Sequence, residues 1–168
     1  MDQERCSIIF SSATGNTKLL AETLHGALPL EQCAYFGPWN REIPETPVVY
    51  VGFWTDKGNA DPDTLALLKE LRNKKVFLFG TAGFGESPAY FEKVLCAVRA
   101  ALDDSNQILG TFMCQGKMPQ AVKDRYLRMK AQPEHPANID ALIANFDRAL
   151  SHPDEADLER LRQTVRAL

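Results

Sequence analysis

Between residues 11 and 17 the chain reads SSATGNT, which gathers the hydroxyls of Ser11, Ser12, Thr14 and Thr17 around one glycine, Gly15. The stretch lies between an apolar run, CSIIF at 6–10, and a helical period that starts at Thr17. These are the ingredients of an anion site: glycine reaches backbone angles that aim successive N–H groups at one centre, and a helix N-terminus carries partial positive charge. A phosphate suits such a nest. An ordinary N-cap explains one Ser or Thr, not this density of hydroxyls. The stretch has no lysine in the Walker position and no second glycine four or five residues earlier, so it is a poor nucleotide triphosphate loop.

Three more stretches carry unusual chemistry, each after an apolar run: WTDKGNAD at 54–61, TAGFGESP at 81–88 and QGKMP at 115–119. Other constellations fail on spacing. Cys6, Cys33, Cys96 and Cys114 show no zinc pattern, and Ser12 and Gln120 stand where a Cys-x5-Arg phosphatase loop needs arginine. Gly80, Gly83 and Gly85 do not form the dinucleotide fingerprint. A phosphorylatable receiver needs an aspartate at the end of the third strand and an acidic pair after the first; those places hold Phe53 and Ser11-Ser12. His25, His135 and His152 fall in a helix or in late loops, where a surface role is expected. No catalytic side chain and no metal site is predicted.

The elements that must position these loops follow from periodicity. CSIIF (6–10), VVYVGF (48–53), KVFLFG (75–80) and QILGTFMC (107–114) read as strands, with EQCAYF (31–36) as a weaker fifth. Most lack polar alternation, as expected of strands covered on both faces. Helical periods run over 17–28, from Pro62, from Pro88, over 119–130, 138–150 and 154–168. The connection 37–47 holds three prolines and reads as a loop. Strands alternating with helices predict a doubly wound α/β fold with a parallel sheet. Ligands of such sheets bind beyond the carboxyl ends of the strands, so the four loops should face one site.

At 168 residues and 45% hydrophobic composition the chain is expected to form one domain, 1–168, with about 151–168 as a helical extension. A net charge of −3 without runs of like charge argues against nucleic acid and anionic membranes. The start MDQERCS lacks signal-peptide features, no apolar run approaches membrane length, and buried thiols suit a reducing compartment. A cytoplasmic protein is expected.

The SATGNT motif, residues 12–17, resembles the S/T-x-T-G-x-T phosphate loop of flavodoxins, and the strand pattern extends the resemblance over most of the chain. It implies FMN as cofactor and a five-stranded sheet of order 2-1-3-4-5. It also implies hydroxyl contacts to the phosphate from Ser12, Thr14 and Thr17 and backbone N–H groups from Ala13, Gly15 and Asn16, with Ser11 at the margin. The flavin ring would be clasped by Phe53, Trp54, Thr55, Asp56, Lys57 and Gly58 on one side and by Thr81, Ala82, Gly83, Phe84 and Gly85 on the other. Trp54 either stacks on the ring or closes the core as the last strand residue; Gly58 either permits a peptide flip or is a plain turn glycine. Phe84 and Tyr90 compete as the second aromatic. Lys57 and Lys117 would favour the anionic reduced flavin if within about 10 Å of it. GFWTDKGNAD and MCQGKMP resemble a bacterial subgroup that includes small flavoprotein partners of bilirubin reductases.

The resemblance implies an electron carrier moving one or two electrons from a reductase to a partner redox enzyme. The alternative is a flavin-dependent reductase acting directly on a quinone, tetrapyrrole or similar acceptor.

Overall fold

The apolar runs become strands β1 (Cys6–Phe10), β2 (Cys33–Gly37), β3 (Val48–Asp56), β5 (Lys75–Ala82) and β6 (Gln107–Gln115). They form a sheet of order β2-β1-β3-β5-β6, parallel throughout, and the two-residue β4 (Asn59–Ala60) folds back antiparallel onto the end of β3. This is the expected doubly wound sheet with one added strand, in a computed structural model that describes residues 4–85 and 87–168. Residues 38–47 form neither helix nor strand.

Among the described residues six α-helices complete the fold: α1 (Asn16–Ala27), α2 (Pro62–Glu70), α3 (Pro88–Arg99), α4 (Gln120–Lys130), α5 (Ile139–Ala149) and α6 (Glu155–Arg166). Proline at the first helical position and a side-chain cap, from Asp61 onto the Thr64 amide and from Ser87 onto the Tyr90 amide, start α2 and α3. Alternation along the strands splits the core into two layers. Ile9, Val49, Val51, Val76 and Leu78 pack with Leu67 and Val94 of α2 and α3. Ile8, Tyr50, Phe77 and Phe79 pack on the opposite face with Leu20, Leu24, Leu158 and Leu161.

The helix expected as an extension, α6, lies in that second layer: it packs on α1 and buries Leu158, Leu161 and Val165. The elements outside the two main layers are instead α4 and α5, an antiparallel pair with its own small core of Tyr126, Ile139 and Phe146. The periodicity of 154–168 cannot say which surface receives its stripe, whereas packing places it beside the first helix. Among the described residues no helix is long and apolar enough to cross a membrane.

Directly beneath the loops, β3 and β5 interlock. Gly52 sits opposite Phe79 and Phe53 opposite Gly80. A Cβ at Gly52 would lie 2.4 Å from the Phe79 ring, and one at Gly80 would lie 2.3 Å from the Phe53 ring. Each ring fills the space its facing glycine leaves, which fixes the strand ends from which two of the loops depart.

Candidate cofactor site

At the carboxyl edge of the sheet the loops after β1, β3, β5 and β6 surround a cleft of about 220 Å³. Its lining includes Ala13, Thr14, Asn16, Thr17, Trp54, Thr55, Thr81, Ala82, Gly83, Gly116, Lys117 and Met118. Among the described residues Lys117 is its only titratable residue, and no carboxylate, imidazole or thiol of theirs lines it.

One wall is the start of α1. Gly15 takes φ 88°, in the left-handed region that glycine enters without strain, and turns the chain into the helix. The first helical amides, those of Asn16 and Thr17, have no intrahelical acceptor by helix geometry, and no acidic side chain occupies the first turn. Ser12 Oγ accepts from the Gly15 amide at 3.1 Å and from the Lys18 amide at 3.2 Å, so one side-chain oxygen already sits where backbone donors converge. An anionic oxygen meets the same donors and the same helix dipole. The nest fits a phosphate.

The hydroxyls divide by function. Thr17 is 1% exposed; its hydroxyl donates to the Phe53 carbonyl at 3.0 Å and lies 3.2 Å from Thr81 Oγ1. This leaves its amide, rather than its hydroxyl, as the group available to a ligand. Thr14 Oγ1 reaches the Lys117 carbonyl at 3.4 Å, and Asn16 Nδ2 donates to the same carbonyl at 2.8 Å. Ser11 donates its amide to Gly52 and, with Ser12, lines a separate cavity, and Ser12 and Gly15 lie outside the cleft lining.

The second wall departs from a simple loop. Trp54, Thr55 and Asp56 continue β3, and Lys57 (φ 53°) with Gly58 (φ 81°) makes a two-residue turn into β4, pairing Thr55 with Ala60 and Asp56 with Asn59. Two consecutive positive φ values are the signature of the hairpin turn that matches strand twist. Trp54 lines the cleft from a strand position, and its carbonyl accepts from the Asp61 amide at 3.0 Å. Asp56, Lys57 and Gly58 lie outside the lining, and the Phe53 side chain is fully buried in the core.

Across the cleft, Thr55 Oγ1 donates to the Thr81 carbonyl at 2.8 Å, tying the two walls together. The Gly83 carbonyl accepts from Gln115 Nε2 and from Asn145 Nδ2, both at 3.0 Å, while Gln115 Nε2 also lies 3.1 Å from Asn145 Oδ1. This buried amide pair anchors the 81–85 segment. Phe84 is 41% exposed, stands edge-on to Tyr90 at 6.2 Å and, like Gly85, lies outside the lining. Burial raises the Tyr90 hydroxyl above its usual range. Glu86, the next residue of this predicted clasp, falls outside the described residues.

Gln115 and Asn145 escaped sequence reasoning. The signal was present: Asn145 interrupts the apolar stripe of α5 between Leu142 and Ala149, and a polar residue on a buried face requires partners. Behind the fourth loop, the Lys117 amide donates to the His152 carbonyl at 3.0 Å. His152 Nδ1 lies 2.6 Å from Asp157, which also takes Arg160 at 2.6 Å and closes a capping box with Asp154. This cluster fastens the approach to α6 behind the fourth loop.

The chain matches the flavodoxin domain family over residues 7–166. It is 38% identical over 173 residues to the flavodoxin-like domain-containing protein BilS of Clostridium symbiosum, covering 90% of this chain and 89% of that protein. A BilS protein of Clostridioides difficile is 31% identical over 156 residues, covering 90% and 88%. Among solved structures, oxidised flavodoxin 2 of Bacillus cereus superposes with a TM-score of 0.54 at 14% identity, covering 98% of this chain and 99% of that one. A Lactobacillus acidophilus flavoprotein in complex with FMN gives 0.53 at 14%, covering 67% and 94%. The phosphate nest at α1, the sheet order and these likenesses agree: the chain belongs to the flavodoxin domain family of FMN-binding proteins and groups within it with the BilS proteins.

Proposed function

We propose that the protein holds FMN in the cleft at the sheet edge and carries electrons between a reductase and an acceptor enzyme in the cytoplasm. The observation that carries this reading is a cleft with a phosphate nest at one end, an indole beside it and, among the described residues, no acid, imidazole or thiol in its wall. FMN supplies the redox chemistry when bound, and the protein supplies binding and orientation. The amides of Ala13, Thr14, Gly15, Asn16 and Thr17, with the Ser12 and Thr14 hydroxyls, hold the phosphate. Trp54 and Thr55 bound the ring on one side, and the 81–83 backbone, fixed by Gln115 and Asn145, meets its polar edge. The cleft lies below the usual range for ligand pockets, about 300–1,000 Å³, so part of the ring stays exposed, which suits exchange of electrons with another protein. The four free cysteines suit a reducing compartment.

The test is titration of the apoprotein with FMN, followed by reduction under an added reductase. Saturable quenching of flavin fluorescence, and no steady-state NAD(P)H oxidation by the protein alone, is the expected result. A colourless protein that leaves FMN fluorescence unchanged refutes the reading.

One observation favours direct reduction of a small acceptor. A cavity of about 410 Å³ on the α2 side of the 11–12 backbone is lined by Ser11, Ser12, Lys18, Trp39 and Arg41. NAD(P)H turnover with a quinone or tetrapyrrole, without a partner protein, would decide for that alternative.

A further inference from the structure

The charge of this chain is unevenly placed. Residues 117–130 hold five of its 19 Lys and Arg (Lys117, Lys123, Arg125, Arg128 and Lys130) and only one of its 22 Asp and Glu, Asp124. The remainder therefore carries 14 basic against 21 acidic residues. A basic segment in an acidic protein calls for an explanation at its own location.

On α4 the cations fall on two flanks. Lys123 and Lys130, seven residues apart, turn toward α5 and are neutralised there, Lys123 by Asp147 and Lys130 by Asp140, each at 2.7 Å. Ala121, Arg125 and Arg128 occupy another flank at i, i+4 and i+7, and all three are exposed. Neither Arg125 nor Arg128 forms an ion pair among the described residues. Asp124 instead accepts from Gln120 at 3.2 Å. Immediately before the helix, Lys117 is exposed at the wall of the cofactor cleft. At 1.5 Å rise per residue, Arg125 and Arg128 lie within about 12 Å of the start of α4 along its axis. That is about one Debye length near 0.1 M salt and less than one below it, so at low ionic strength the three cations act as one field at the cleft.

The geometry points to the Lys117–Arg125–Arg128 face as the docking surface for an acidic redox partner. Two flanks of one helix, one neutralised by its neighbour and one without an ion pair, where Arg125 lies 5.9 Å over the Tyr126 ring, separate a structural use of charge from a recognition use. An acidic surface meets its densest complementary charge here, while the net acidic remainder of the chain repels it, and this orients the partner toward the cleft. The inference rests on the electron-carrier reading proposed above.

The test uses two well-behaved haem acceptors of opposite charge: acidic cytochrome b5 and basic cytochrome c. The reduced, FMN-loaded protein is mixed with each in stopped flow from about 10 to about 300 mM salt. The expected result is a cytochrome b5 rate that falls at least about tenfold as salt rises. In Arg125→Glu/Arg128→Glu that dependence vanishes or inverts, with Arg125→Gln/Arg128→Gln between. The apoprotein should bind cytochrome b5 at low salt in calorimetry and the charge-reversed variant should not, a readout that needs no flavin. A cytochrome b5 rate that rises with salt, variants indistinguishable from the parent, or no apoprotein binding overturns the inference. Failure to bind FMN would instead strike the carrier reading and leave the calorimetric arm standing.

Discussion

Replacing Thr17 by valine tests how the first loop divides its labour. The hydroxyl is removed while the shape is kept, so what changes is hydrogen bonding. The Phe53 carbonyl loses a 3.0 Å donor and Thr81 Oγ1 loses its 3.2 Å partner, both in a buried setting. Leaving a buried polar group unpaired costs about 1–3 kcal/mol, and the added methyl recovers about 1 kcal/mol by burial. With two groups unpaired at about 1.5 kcal/mol each, less the methyl, the net loss is about 2 kcal/mol. For a domain of this size that lowers Tm by about 4–8 °C, measurable by circular dichroism or calorimetry. FMN affinity should fall less than about threefold, because the Thr17 amide stays in place, whereas loss of a direct phosphate contact costs about tenfold or more. Thr17→Ser, which keeps the hydroxyl, should recover most of the stability. A valine variant with unchanged Tm and affinity lowered tenfold would refute the assignment of this hydroxyl to the sheet.

Other outcomes follow from the same geometry. Asn145→Ala removes one donor from the Gly83 carbonyl and an acceptor from Gln115; hydrogen exchange across 81–85 should accelerate, and FMN affinity should drop several-fold. Gly80→Ala drives a methyl into the Phe53 ring and should destabilise by about 1–3 kcal/mol in denaturant titration. Burial opposes ionisation of Asp157, but hydrogen bonds from His152, the Asp154 amide and Arg160 outweigh it and hold its carboxyl below the usual range. A depressed folded-state pKa means this stability is complete above about pH 4 and is lost as pH falls through the folded value, a dependence that Asp157→Asn should remove from acid-unfolding curves. Burial pushes the Cys6 thiol up to about 12 and the Cys114 thiol higher still, so at pH 8 a disulfide reagent should label exposed Cys96 first and reach Cys6 and Cys114 only on unfolding.

Much of the frame was readable because buried parallel strands write themselves as unbroken apolar runs. VVYVGF and KVFLFG needed no partner to be recognised, and the hydroxyl-rich turn after CSIIF announced an anion site. What stayed hidden depends on contacts between distant segments. Thr17 looks like its neighbouring hydroxyls until the fold places Phe53 and Thr81 beside it. β4 is two residues of no strand propensity, defined only by the turn at Lys57 and Gly58. The stripe on 154–168 reveals amphipathicity, but its partner α1 lies more than a hundred residues earlier. Asn145 and Gln115 matter only because the Gly83 carbonyl comes between them.

The contact between α1 and α6 also bears on how the chain is made. The helix that opens with the phosphate nest buries Leu20 and Leu24 against Leu158 and Leu161, so one side of the nest's own helix stays wet until α6 has cleared the ribosome. Stable capture of FMN is thereby deferred until nearly the whole fold has been synthesised. Nascent chains arrested with α6 still in the exit tunnel should be cut by protease within α1, and chains released by a further thirty or so residues of linker should resist. Resistance of the arrested chain would show that the first helix is secured without the last.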